Sequence, residues 1–83
     1  MAIDFAKLRG LTARELAAGL LRDSFLLERQ KGSHRLYRHP DKRRVTVSYH
    51  ASGDTFRQGT LRSMIEQQAC WTLDDLRRLK LLN

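Results

Sequence analysis

The sequence predicts an α+β domain in which a helix, three antiparallel strands and two further helices follow one another. Three observations carry that expectation. Thr-x-x-acidic capping boxes open helices at both ends of the chain, at Thr12 and at Thr72. Arg43 to His50 alternates apolar and polar residues as a half-buried strand does. Two extended-friendly runs precede it, joined by short turn-rich connections, so three strands form one sheet with one face left for helices to cover. With 83 residues, 41% hydrophobic and 30% charged, the chain supports a single modest core and a single domain, residues 1–83. That size excludes a doubly wound nucleotide-binding fold, a barrel and any enzyme with a large enclosed pocket.

The elements follow in order. Thr12 caps the first helix with Glu15 at N3, and Leu11 and Leu16 stand where a hydrophobic staple packs. Leu16, Leu20 and Leu21 give its apolar stripe, which ends near Arg22-Asp23. Phe25 to Arg29 and His34 to Arg38 are the first two strands, separated by Gln30-Lys31-Gly32-Ser33. Pro40-Asp41-Lys42 is a turn by composition. The third strand then turns Val45, Val47 and Tyr49 inward and Thr46, Ser48 and His50 outward. A polar loop, Ala51 to Thr55, leads to a second helix expected after Gly59 with Thr60 as its cap and Leu61, Met64, Ile65, Gln68 and Ala69 as its stripe. In the third helix Thr72 caps, Asp75 stands at N3 and Trp71 staples to Leu76. Asp74 and Asp75 lie in its first turn and Arg77, Arg78 and Lys80 in its last, which suits the helix dipole. The single cysteine, Cys70, excludes an internal disulfide and four-cysteine zinc patterns, and is expected as a small buried side chain on a helix.

Charge narrows the class of partner. Sixteen Lys plus Arg against nine Asp plus Glu leave +7, and the isoelectric point is near 10.5. So basic a small domain expects an anionic partner, nucleic acid above all. Residues 22 to 44 hold eight Lys or Arg against Asp23, Glu28 and Asp41, which concentrates +5 of the total in the first two strands and their turns. One free thiol, no secretory signal and no apolar stretch near membrane-spanning length point to a cytoplasmic protein without membrane association.

Three histidines, His34, His39 and His50, are the only side chains able to shuttle protons near neutral pH. No carboxylate pair, P-loop, HxxxH or CxxC is legible, so no metal or cofactor site is expected. RNA cleavage needs no more than a histidine, because the ribose 2′-OH is an internal nucleophile. His34 follows Lys31-Gly32-Ser33, where Gly32 permits a tight turn or close approach to a phosphate. His39, before Pro40, suits a structural role, and His50 closes the third strand. Register is open. A two- or four-residue turn around Asp41-Lys42 sets His34 opposite Tyr49 and beside His50, whereas a three-residue turn shifts the pairing and reverses the faces.

Arg29-Gln30-Lys31-Gly32-Ser33-His34, then Tyr37-Arg38-His39-Pro40-Asp41, then Arg43 to Val47 with His50, then Gly59-Thr60-Leu61-Arg62, resemble the HicA toxin family over about Leu16 to Leu76. The resemblance implies a small mRNA interferase with a double-stranded-RNA-binding-like α-β-β-β-α fold, here carrying an extra C-terminal helix. It implies a metal-independent endoribonuclease without cofactor that acts on mRNA and is neutralised by a HicB-type antitoxin. His34 matches the catalytic histidine, and Gly32 and Ser33 match its motif. Lys31, Arg35 and Arg38 are expected to join them in holding RNA phosphates. There are departures. Ser24 stands where the family usually has glycine, Asp41-Lys42 replaces the common Asp-Gly turn, and the loop from Ala51 to Gln58 has Arg57 in place of the usual lysine and proline. The alternatives are a non-catalytic double-stranded-RNA-binding module and a protein-interaction domain for an acidic partner.

Overall fold

Two of the three helix starts are capped as their sequences dictate. In a computed structural model, which describes residues 2–82, the Glu15 N–H donates to Thr12 Oγ1 and the Thr12 N–H to Glu15 Oε1, opening α1 (Ala13–Arg22). Thr72 and Asp75 make the same reciprocal pair for α3 (Leu73–Arg78). α2 (Gln58–Arg62) starts differently: its N-cap is Arg57 with no side-chain cap bond, and the expected cap Thr60 lies inside the helix. Phe56 at N′ and Leu61 at N4 both pack into the core and staple this start. Leu11 with Leu16 and Trp71 with Leu76 occupy the same positions around α1 and α3, so the staple, not the hydroxyl cap, is common to all three. α2 passes directly into a π-wound turn, Ser63–Gln68, closed by Ala69 N–H to the Met64 carbonyl.

The strands β1 (Leu26–Lys31), β2 (His34–Arg38) and β3 (Arg44–Ser48) form one antiparallel sheet in sequence order. β1 runs further than expected, through Gln30 and Lys31, which leaves Gly32-Ser33 as a two-residue turn with Gly32 at φ +59°. A positive φ at the first central residue alone is the pattern of the hairpin turns that follow strand twist. At the second hairpin the His39 N–H donates to the Arg43 carbonyl, enclosing Pro40-Asp41-Lys42. This is the three-residue turn, so His34 stands opposite Ser48 and not Tyr49. Tyr37, Val45 and Val47 therefore share the face buried beneath the helices, joined in the core by Leu16, Leu20, Phe25, Leu61, Ile65 and Leu76.

Positive φ falls on four residues other than glycine among the described residues. α1 ends with Ser24 at φ +73°, its N–H donating to Leu21 and the Phe25 N–H to Leu20. α3 ends alike at Lys80, φ +62°, with bonds to Arg77 and Leu76. Both are Schellman closures, which normally fall on glycine. Cys70 corrects an expectation: it is exposed, off the helix, at φ +56°. The chain reverses there so that Trp71, donating its backbone N–H to the Ile65 carbonyl, fills the core and turns the thiol out.

One carboxylate ties these ends together. Asp23 accepts from the Trp71 indole at 2.7 Å, from Arg78 at 2.8 Å and from Arg43 at 3.4 Å. Burial pushes its pKa up, but the indole, Arg78 and Arg43 outweigh that and hold it below the ordinary aspartate value. Arg43 also bonds Asp41 and the Ala69 carbonyl and lies over the Phe25 ring. Asp23→Asn should cost about 2–3 kcal/mol at neutral pH, since a half-buried charged acceptor with several donors is lost. Its group is ionised more readily folded than unfolded, so the contribution is complete above the ordinary aspartate pKa of about 3.9 and is lost as pH falls below it. Thermal melts of both proteins across pH 3–7 should therefore converge only at the acid end. Lys42 sits at φ +80°, the last residue of the Pro40-Asp41-Lys42 turn. A left-handed non-glycine residue costs about 1–2 kcal/mol, and glycine's extra entropy offsets part of the relief. Lys42→Gly should stabilise by roughly 0.5–1 kcal/mol, read as a raised denaturation midpoint at unchanged slope.

Candidate nucleic-acid interface

The helices cover one face of the sheet and leave the other bare. β2 and β3 put His34, Leu36, Arg38, Arg44, Thr46 and Ser48 on that open face, opposite in parity to buried Tyr37 and Val45. β1 is offset by a bulge: Leu27 pairs with Tyr37 but Arg29 already pairs with Leu36, so Glu28 is an extra residue. A bulge re-aims the side chains beyond it. Without it, simple alternation from Leu27 would turn Arg29 and Lys31 toward the core. With it, Arg29 pairs with Leu36 and Lys31 with His34 on the open side.

The result is two adjoining shallow concavities. One is lined by Arg29, Lys31, His34, Arg35, Leu36 and Thr46. The other is lined by Glu28, Arg29, Leu36 and Arg44, so Arg29 and Leu36 belong to both. His34 is exposed at the mouth of the Gly32-Ser33 turn, and a side chain grafted onto Gly32 would meet nothing within 4 Å. The backbone around His34 is firmly held. The Ser33 carbonyl accepts from the Tyr49 N–H at 3.1 Å and from Arg35 at 3.3 Å.

The other expected site residues differ in availability. Arg35 also donates to the Tyr49 carbonyl at 3.1 Å, and its guanidinium lies 3.9 Å from the Tyr49 ring centre, so it clamps β2 to the end of β3. Arg38 is paired with Glu28 at 3.0 Å. Lys31 makes no ion pair among the described residues, and neither do Arg29 and Arg44. The three histidines do not converge. His39 accepts the Asp41 N–H at 3.0 Å and stands edge-on to Phe25 at 5.0 Å, beyond the far end of β2 from His34. His50 is exposed, with its backbone N–H donated to Asp54.

Arg29, Arg44, Leu36 and Thr46 line these concavities, and the sequence reading gave them no part in the site. Turn parity would have yielded Arg44 and Thr46; nothing in Leu27-Glu28-Arg29 signals the bulge. Among the described residues no cluster of three His, Cys, Asp or Glu could hold a metal ion. No helix is long and apolar enough to cross a membrane.

These features define a basic α-β-β-β-α domain with an uncovered, cationic sheet. Residues 13–69, from the first residue of α1 to Ala69 just after the π-wound turn, match the family model described as HicA toxin of bacterial toxin–antitoxin, and the chain belongs to the HicA toxin family. α3 lies outside the matched segment. No individual curated protein matches it. Membership makes the chain a toxin-family protein of a toxin–antitoxin pair.

Proposed function

We propose that the chain is a metal-independent endoribonuclease that cleaves mRNA in the cytoplasm, with His34 as its catalytic histidine, and that a HicB-type antitoxin holds it in check. The observation that carries this reading is the place of His34, exposed on the open face and paired across the turn with the free cation of Lys31, in a HicA family chain. The 2′-OH attacks the adjacent phosphorus, the P–O5′ bond breaks, and the products are a 2′,3′-cyclic phosphate and a 5′-hydroxyl. His34 carries one of the two proton transfers, taking the 2′-OH proton or protonating the leaving 5′-oxygen, and solvent water carries the other. Lys31 offsets the charge that develops on the phosphate. The unfilled space over Gly32 lets the RNA backbone approach the turn. Arg35 acts by fixing the strand end beneath His34, and Arg38 meets phosphate only on release from Glu28. An antitoxin of acidic character would silence the enzyme by covering this face.

The second reading, a non-catalytic duplex-RNA module, makes equal use of the free cations and no use of His34. His34→Ala should lower RNA cleavage about 10²–10⁴-fold and shift stability by no more than about 0.5 kcal/mol, because the side chain is exposed. A folded variant that cleaves at the wild-type rate defeats the assignment. His39→Ala should do the reverse, losing stability through its Phe25 contact with a smaller loss of rate. Cleavage should persist in excess chelator; loss on chelation and return with a divalent ion would replace this mechanism by a metal-assisted one.

A further inference from the structure

The open face continues well past His34, and its lining is selective. Three cations without ion-pair partners among the described residues, Lys31, Arg29 and Arg44, succeed one another across it through two concavities joined at Leu36. No aromatic side chain is among them. Phe5, Phe25, Tyr37 and Trp71 are buried, and Tyr49 and Phe56 pack against the same core. Proteins that read single-stranded bases from a sheet do so by stacking them on aromatics. This face offers charge over an aliphatic floor instead. At the level of Arg44 the pattern ends: its cross-strand partner Arg38 is neutralised by Glu28, which itself lines the second concavity, and Leu26 beside Arg38 is 66% exposed and apolar.

We infer that RNA lies on this face as a single strand held by its phosphates, running past Lys31 and His34, then Arg29, then Arg44, and that the Glu28–Arg38 pair ends the track. The inference rests on the ribonuclease reading and adds the form of RNA taken and the residues that hold it. From His34 to the level of Arg44 is four strand residues, about 13 Å, and the sheet is about 10 Å across. A duplex recognised by shape is gripped over roughly 16 base pairs through two successive minor grooves, far longer than this patch. A single strand contacting three cations fits it. Without stacking partners the face discriminates little between bases, and its affinity is electrostatic.

The test uses the His34→Ala chain, which binds without cutting, and measures its affinity for a short oligouridylate against salt concentration. Three neutralised phosphates give a slope of log affinity on log salt near −2, at about 0.7 per phosphate for single strands. Adding Arg29→Gln with Arg44→Gln should flatten the slope by about 1.4. Adding Arg14→Gln with Arg77→Gln, exposed helix cations that remove the same charge, should leave it unchanged. Adding Glu28→Gln should tighten binding severalfold, a gain that misfolding does not produce. Equal flattening by the helix pair, tighter binding of a duplex of the same length, or more than tenfold preference among oligouridylate, oligoadenylate and oligocytidylate overturns the inference. Cleavage by the wild-type chain is scored separately. If it cuts RNA while these arms fail, only the track falls; if it cuts none while they hold, only the ribonuclease reading falls.

Discussion

A chain of this length can cover only one face of its sheet, and most of the molecule's character follows from that constraint. The helices and the left-handed closures that end them are spent on burying Tyr37, Val45 and Val47. The opposite face must stay soluble unaided, so apart from Leu36 and Leu26 it is built from charge and short polar groups. Charge concentrated on an uncovered face attracts polyanions whether or not a reaction follows. The cationic surface is thus the solubility solution for the bare side of the sheet, and a single histidine at its edge turns a binding face into a candidate reacting one.

Which side chains share that face depends on two single-residue shifts. The three-residue turn at Pro40-Asp41-Lys42 sets even-numbered residues of β2 and β3 together on the open side. The bulge at Glu28 brings odd-numbered Arg29 and Lys31 of β1 onto the same side. Remove either shift and His34 loses its cationic neighbours on one flank or its register on the other. Asp23 supports both the hairpin and the helices, since it holds Arg43 of the second turn together with Trp71 and Arg78. A carboxylate on the buried side thus ties the second turn to the helices.

The α+β order and the two capping boxes were legible because they rest on local signals, hydroxyl-to-acid spacing and strict alternation. The features that went unseen are those where backbone geometry departs from residue preference. The end of α1 near Arg22-Asp23 was readable, but Ser24, Lys42, Cys70 and Lys80 all adopt positive φ without being glycine, so the reversal at Cys70 and the turn parity carried no mark. The start of α2 was misplaced because Thr60 resembles a cap while the Phe56–Leu61 staple does the fixing. His34, Lys31 and the glycine between them were readable from motif. Their company on the open face was not, because it depends on the bulge. The availability of Arg35 and Arg38 depends in turn on Tyr49 and Glu28, which are close in space and not in sequence.

His34 is positioned without being packed. The backbone on either side of it is fixed by the Gly32 turn, by the Tyr49 N–H on Ser33 and by the Arg35 clamp, while the imidazole itself is exposed. Such an arrangement separates the two demands on the chain. Side chains of one parity in β2 and β3 build the core, and those of the other parity meet whatever the face binds. Residues on the open side can then change partner preference with little consequence for folding, and core residues can tune stability without touching the face. For a toxin-family protein that separation has a further effect. On the function proposed above, an antitoxin would need neither to unfold nor to distort its target, because covering one small cationic surface would remove histidine and cations from reach together.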